Sequence, residues 1–250
     1  MMTYNFSVSP DFNPSHISGW YIFNTWLQRT INEDIHLELY DNFELQRKAI
    51  ADDQLDLIYA NPFDAALLVR EKGFTPIACP SNQSDEAIIA VNNESTITTI
   101  EALNEGTRIS STDDPDVRMM CMIMLEPAGL GSHNTVLNQR DTYVLVAKDL
   151  LKGDADVGFF LEETYNDLSD FIRKDLRPLV RSQIQVIHHL LLAGPKLAHK
   201  RDEIAAVLLA MKDDSKGKGV LESLNFEQWN AVEQEETEFM IDLMDTLTAE

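Results

Sequence analysis

Asn61-Pro62-Phe63-Asp64 is the stretch of this sequence best placed for binding chemistry. An unbroken apolar run, Leu57-Ile58-Tyr59-Ala60, leads into it, and Ala65-Ala66-Leu67-Leu68 follows. A short run of that kind predicts a strand covered on both faces. Pro62 cannot lie inside a central strand, so the strand ends by Asn61, and proline suits the first turn of a helix. Asn61, Phe63 and Asp64 are thereby set at the carboxyl end of a strand, beside a helix amino terminus. In open α/β sheets ligands bind there, because the first N–H groups of a helix have no partner within it. An ordinary strand-to-helix turn has the same local sequence, so the surroundings must decide.

Other chemistry finds little support. No nucleophile stands in a recognisable pattern with a base, and no catalytic residue, metal ligand or cofactor is assigned. His188-His189 would suggest a metal only with a converging carboxylate or thiolate. Cys79 and Cys121 lie far apart and predict small buried side chains, neither a disulfide framework nor a metal knot. Asp213-Asp214-Ser215-Lys216-Gly217-Lys218-Gly219 has the composition of a phosphate loop without its Gly-x4-Gly-Lys-Ser/Thr spacing, and predicts an interruption between helices. Trp20, Trp26 and Trp229 are expected in the core.

The elements that must position these groups follow from periodicity. Tyr4, Phe6 and Val8 alternate with polar residues as in a strand, and Asn13 and Pro14 open a helix. A strand over His36–Tyr40, a helix capped by Asp41 or Asn42, the strand Asp56–Ala60 and a helix to Lys72 complete a β-α-β-α-β-α pattern. That order predicts a mostly parallel sheet with helices on both faces. Right-handed crossovers then bring the loop Pro10-Asp11-Phe12 to the same edge as Asn61 and Asp64. Strands are expected over Thr75–Cys79, Glu86–Val91, Thr107–Ser110, Thr135–Leu137, Asp156–Leu161, Ile184–Ile187 and Leu190–Ala193. Helices are expected over Thr98–Asn104, from about Pro115 to Leu125, Tyr143–Lys152 and Thr164–Leu176. From Pro195 on, the pattern is helical to the end. The last helix shows Val232, Phe239, Met240, Leu243, Met244 and Leu247 on one side, with glutamates opposite.

The chain has 250 residues, enough for one large domain or two lobes. Its 42 acidic against 20 basic residues, net −22, exclude the basic footprint of nucleic-acid binding and attraction to anionic membranes. No apolar run approaches the ~20 residues that span a bilayer, so no membrane insertion is expected. Met1–Phe6 lacks a basic region followed by an apolar core, which predicts a cytoplasmic protein, or a periplasmic one if a leader has been removed.

The order of these pieces resembles the type 2 periplasmic binding proteins, and within them the phosphate/phosphite/phosphonate substrate-binding family of ABC transporters. The resemblance rests on Ser9-Pro10-Asp11-Phe12 and on Asp56–Phe63 followed by Arg70 and Gly73-Phe74-Thr75-Pro76-Ile77-Ala78. It also rests on Gly106-Thr107-Arg108-Ile109-Ser110 and Gly153-Asp154-Ala155-Asp156-Val157-Gly158. It implies two α/β lobes, residues 1–80 plus 189–250 and residues 81–188, with the ligand cleft between them. It also implies that Ser110, Ser111 and Thr112, opening a helix, hold an oxyanion. Tyr143 stands where many members have His, and Asp64 and Ala65 stand where they have Ser and Tyr. His188, at the second crossing, and Tyr59 are further candidates to line the cleft, Tyr59 competing with a plain core role.

Asp113, Asp114 and Asp116 depart from the pattern, since carboxylates at a helix amino terminus compete with an anion. Helix capping and a pocket retuned toward a zwitterionic or cationic ligand both account for Asp113 and Asp114. The expected function is a small-molecule binding protein holding a small polar ligand, phosphonate/phosphate-like or zwitterionic, for transport or sensing. Its partner would be an ABC transporter or a signalling protein. The alternatives are an enzyme on the same fold, like those of thiamine-pyrimidine or menaquinone biosynthesis, or an acidic protein-interaction module with a vestigial cleft.

Overall fold

The computed structural model describes residues 3–248. They divide into two compact units: the first takes Thr3 to Gln83 and again His188 to Met244, the second Ser84 to Ile187 and Asp245 to Thr248. The chain begins with β1 (Thr3–Val8), α1 (Ile17–Ile31), β2 (Asp34–Leu39), α2 (Phe43–Ala51), β3 (Leu57–Ala60), α3 (Pro62–Arg70) and β4 (Thr75–Pro80). The second unit carries β5 (Ala87–Asn92), β6 (Arg108–Ser111), α4 (Pro115–Leu125), β7 (Val136–Gln139), α5 (Tyr143–Lys152) and β8 (Val157–Leu161). There α6 (Glu162–Asn166), α7 (Asp170–Arg173) and β9 (Leu176–Arg181) follow. Last come β10 (Leu190–Ala193), α8 (Arg201–Leu209), α9 (Ser215–Ser223), β11 (Trp229–Ala231) and α10 (Gln234–Thr248).

The first unit holds a six-stranded sheet in the order β11-β4-β10-β3-β1-β2. β1 lies parallel to β2 and β3. β10 is antiparallel to both β3 and β4, so β4 shares the direction of the first three strands. The sheet is therefore mixed in its pairings although most of its strands point one way. Alternation along β3 and β10 explains their unbroken apolar sequences. Leu57, Tyr59, Leu191 and Ala193 join Trp20, Phe23 and Leu27 of α1 on one face. Ile58, Ala60, Leu190 and Leu192 join Leu68 of α3 and Met240 and Ile241 of α10 on the other. Strands covered on both faces have no polar side to show.

The second unit repeats the arrangement with five strands, β7-β6-β8-β5-β9. β6 is parallel to β7 and β8, and β5 is antiparallel to β8 and β9. Ile88, Val146, Leu150, Phe160, Tyr165 and Leu176 form a core on one face of it.

Several expectations change. The helix expected over Thr164–Leu176 breaks into α6 and α7, and β9 follows, a strand absent from the sequence reading. β9 is an edge strand bound to β5 alone, which is where Pro178 is tolerated and where charged residues belong. Ile184–Ile187 is no strand: the backbone N–H groups of Ile184 and Gln185 donate instead to the Glu86 carboxylate, at 3.1 and 2.7 Å. Of the interruption expected over Asp213–Gly219, only Asp213 and Asp214 lie before α9; Asp214 caps that helix, accepting from Gly217 N at 2.8 Å, and Ser215–Gly219 lie inside it. A Cβ on Gly217 would stand 2.1 Å from Met211 O, so close backbone approach, not a loop, places glycine there. In α10 the buried stripe is Thr237, Met240, Ile241 and Met244, a helical i, i+3, i+4, i+7 set, and Phe239 is 63% exposed. Leu247 lies outside the residues whose side chains are described.

Candidate functional site

In the first unit the sheet ends in a turn, Ser9-Pro10-Asp11-Phe12, pinned to β3 by Ser9 N donating to Tyr59 O at 2.7 Å. Pro10 is half-buried in the turn, and Phe12 packs against the main core. The Asp11 carboxylate is buried and lies 3.0 and 3.1 Å from Nε2 of His189. Burial pushes the Asp11 carboxyl up, but the charge and hydrogen bond of His189, with a bond from Ser9, hold it below the usual carboxylate range. The His189 ring stacks on Tyr59, centroids 5.1 Å apart at 22°. Tyr59, 7% exposed, is itself set against Trp20, Phe226 and Trp229. The half-buried His188 has its Nδ1 3.3 Å from His189 O, so of the pair it is His189 that joins Asp11 and Tyr59.

Asn61 caps α3, its Oδ1 accepting from Asp64 N at 2.7 Å. Its Nδ2 donates to Asp64 Oδ2 and to Ser9 Oγ, at 3.2 and 3.3 Å. Asp64, 1% exposed, receives Arg47 Nε at 2.6 Å and Nη2 at 3.2 Å. Burial is the larger influence on Asp64 and raises its carboxyl against the pull of Arg47, and the charge of Asp11 adds to the rise. Asp11, Tyr59, Asn61 and Asp64 thus gather at one end of the first sheet, together with Arg47, a cation that no sequence pattern marks.

In the second unit Ser110 and Ser111 close β6, both fully buried. Ser110 Oγ donates to Asp149 Oδ2 at 2.8 Å, and Arg140 Nε binds the same oxygen at 2.6 Å. Burial raises Asp149, but Arg140 and Ser110 outweigh it and keep the carboxyl below its ordinary range. Ser111 Oγ has no hydrogen-bond partner among the described residues. Thr112 Oγ1 accepts from Asp114 N at 3.4 Å. Asp114, 2% exposed, is the cap of α4: its Oδ1 accepts from Asp116 N and Val117 N at 3.1 and 3.2 Å. Tyr143 donates its hydroxyl to Asp114 Oδ2 at 2.8 Å. Thr112 and Tyr143 therefore meet at Asp114, while Ser110, one residue before Ser111 on β6, is tied to Asp149 and Arg140. Asp113 is half-buried and makes no ion pair among the described residues.

Among the described residues no group of three or more His, Cys, Asp or Glu could hold a metal ion. No helix among them is long and apolar enough to cross a membrane.

Two α/β units, each with three parallel strands ordered 2-1-3 and an antiparallel strand beside the third, define the class of type 2 binding proteins. The chain belongs to the family of periplasmic phosphonate substrate-binding proteins of ABC transporters, whose family model matches residues 6–237. The fold is shared with PhnD1 of Prochlorococcus marinus (MIT 9301), solved in complex with methylphosphonate, at TM-score 0.83, 14% identity and 98% coverage of both chains. A Xanthomonas citri protein bound to ATP is similar at TM-score 0.79 and 12% identity, over 100% of this chain and 99% of that one. The binding component of an ABC phosphonate transporter from Pseudomonas aeruginosa gives TM-score 0.78 and 13% identity over 98% and 86%. A search of curated proteins found no match. The family is periplasmic, which overturns the cytoplasmic location expected from the opening residues; those residues carry no weight on compartment.

Proposed function

We propose that this protein captures a small solute bearing both an oxyanion, phosphonate- or phosphate-like, and a cationic group, and presents it to an ABC transporter without transforming it. Family membership supports the capture and the transporter. The zwitterionic choice rests on one observation: the Asp114 carboxylate already occupies the N–H groups of Asp116 and Val117 at the start of α4. An anion brought there would meet a like charge, at about 4 kcal/mol for ~4 Å separation and an effective dielectric of about 20. An ammonium group would instead find Asp113, a carboxylate without an ion pair among the described residues. Candidate ligand-bearing groups are Asp11, Tyr59 and the Asn61–Asp64 corner within the first unit; within the second unit, taken by itself, they are Ser111, Thr112 and Asp113.

Thermal denaturation and calorimetric titration against methylphosphonate, phosphate, amino-bearing phosphonates, amino acids and polyamines test it. A ligand at ~100 times its dissociation constant adds about 2.7 kcal/mol of stability. Amino-bearing phosphonates should raise the midpoint more than methylphosphonate, and Asp113→Asn should reduce that preference. A larger response to methylphosphonate than to its amino-bearing analogues would refute the zwitterionic choice, and no response to any compound would refute solute capture.

A further inference from the structure

Solute capture as proposed above leaves open which group takes the oxyanion, since the α4 amino terminus is already filled by Asp114. Arg47, on α2, is the cation beside the Asn61–Asp64 corner. Its guanidinium has five N–H donors in a fixed plane. Nε and Nη2 bind the two oxygens of Asp64, which consumes one edge of that plane. The other edge, shared by Nη1 and the second N–H of Nη2, has no acceptor among the described residues. That edge presents two parallel N–H groups, the fork that matches a phosphonate, phosphate or carboxylate.

The guanidinium is held in place. The rings of Phe43 and Phe63 each have their centroid 5.0 Å from its Cζ. Asp64 is buried and is itself fixed by Asn61 through Nδ2 and through the backbone bond to Asn61 Oδ1. Next to Arg47, the buried Gln46 anchors α2 to β1 by donating to Ser7 Oγ and Val8 O at 2.9 and 2.8 Å. Arg47 is nevertheless one-third exposed, with Phe63 at 44% beside it, so the free edge is within reach of a solute. Supporting groups of this kind orient a binding side chain without touching the ligand.

We propose that Arg47 is the oxyanion-binding group of the first unit, with Asp64 and Asn61 as the residues that aim it. Asp64 offsets part of the guanidinium charge, so selectivity comes from two parallel hydrogen bonds to a planar or tetrahedral oxyanion more than from net charge. A mere tie between α2 and α3 would need only the Asp64 edge, and a lysine could supply it.

Titrate wild type, Arg47→Lys and Arg47→Met with methylphosphonate, inorganic phosphate and whichever amino-bearing phosphonate the wild type binds best. Both variants should lose about tenfold or more in affinity for every anionic probe, about one charge-assisted hydrogen bond or more. The ligand-free midpoint of Arg47→Lys should stay near wild type. The Arg47 Nε–Hε resonance of the wild-type protein should shift on adding each bound probe, a readout that needs no variant. If wild type binds a probe and Arg47→Lys binds it equally, or the resonance does not move, the assignment of Arg47 falls while solute capture stands. If wild type binds no probe at all, both fall.

Discussion

Asp11 and His189 show how single residues acquire a pH-dependent share in stability. The Asp11 carboxyl is raised by burial and lowered by His189 and Ser9, with the lowering prevailing. A folded-state value below the unfolded one contributes stability that is fully present above pH about 4, the ordinary Asp range, and is lost as pH falls through the lowered value. Asp11→Asn should cost about 1–3 kcal/mol at pH 7, the range for a charge-assisted hydrogen bond. Urea denaturation at pH 7 and pH 3 should find the gap between variant and wild type narrower in acid; an unchanged gap would show that the carboxylate charge is irrelevant. At this scale the sequence was half legible. Asn61 and Asp64 declare themselves by standing after an apolar run and around a proline. Arg47 does not, because its partner is 17 positions away on another helix and no periodic rule joins them. Asp114 could be suspected of capping from its place before Pro115, and that is what its oxygens do.

At the scale of elements, legibility followed burial. Strands covered on both faces announced themselves as apolar runs, and α5 matched its expected bounds, Tyr143–Lys152, because Thr142 caps it, accepting from Leu145 N. The failures, β9 and β11, are edge strands: β9 is mostly half-buried and interrupted by Pro178, and β11 has three residues, so neither carries an alternation to detect. The first part of α9 reads as an interruption because glycine is usually a breaker, whereas at Gly217 contact between backbones demands it. The same holds on α1, where a Cβ on Gly19 would stand 2.2 Å from Ser223 O, a backbone atom of α9. Gly19→Ala must push the two helices apart, and overpacking of this kind costs about 1–3 kcal/mol. The urea midpoint should fall with the slope unchanged; a midpoint equal to wild type would mean that α1 and α9 separate freely.

For the molecule as a whole, the order of elements carried the family and the fold. Compartment was the failure: it had been drawn from six residues at one end, while the family match draws on residues 6–237. The net charge of −22 is spread over both units, and self-repulsion of that size favours solubility at some expense to compactness.

β10 sits between β3 and β4, yet it is made more than a hundred residues after either. During synthesis, therefore, the amino-terminal strands wait with open edges while the segment Ser84–Ile187 passes and has its own five strands to hand. The nascent chain is barred from finishing its first sheet until the returning segment that carries β10 has been made. Pulse-labelled hydrogen exchange during refolding should find Ile88–Val91 amides shielded before those of Ile58 and Tyr59; the reverse order would place the nucleus in the split half instead.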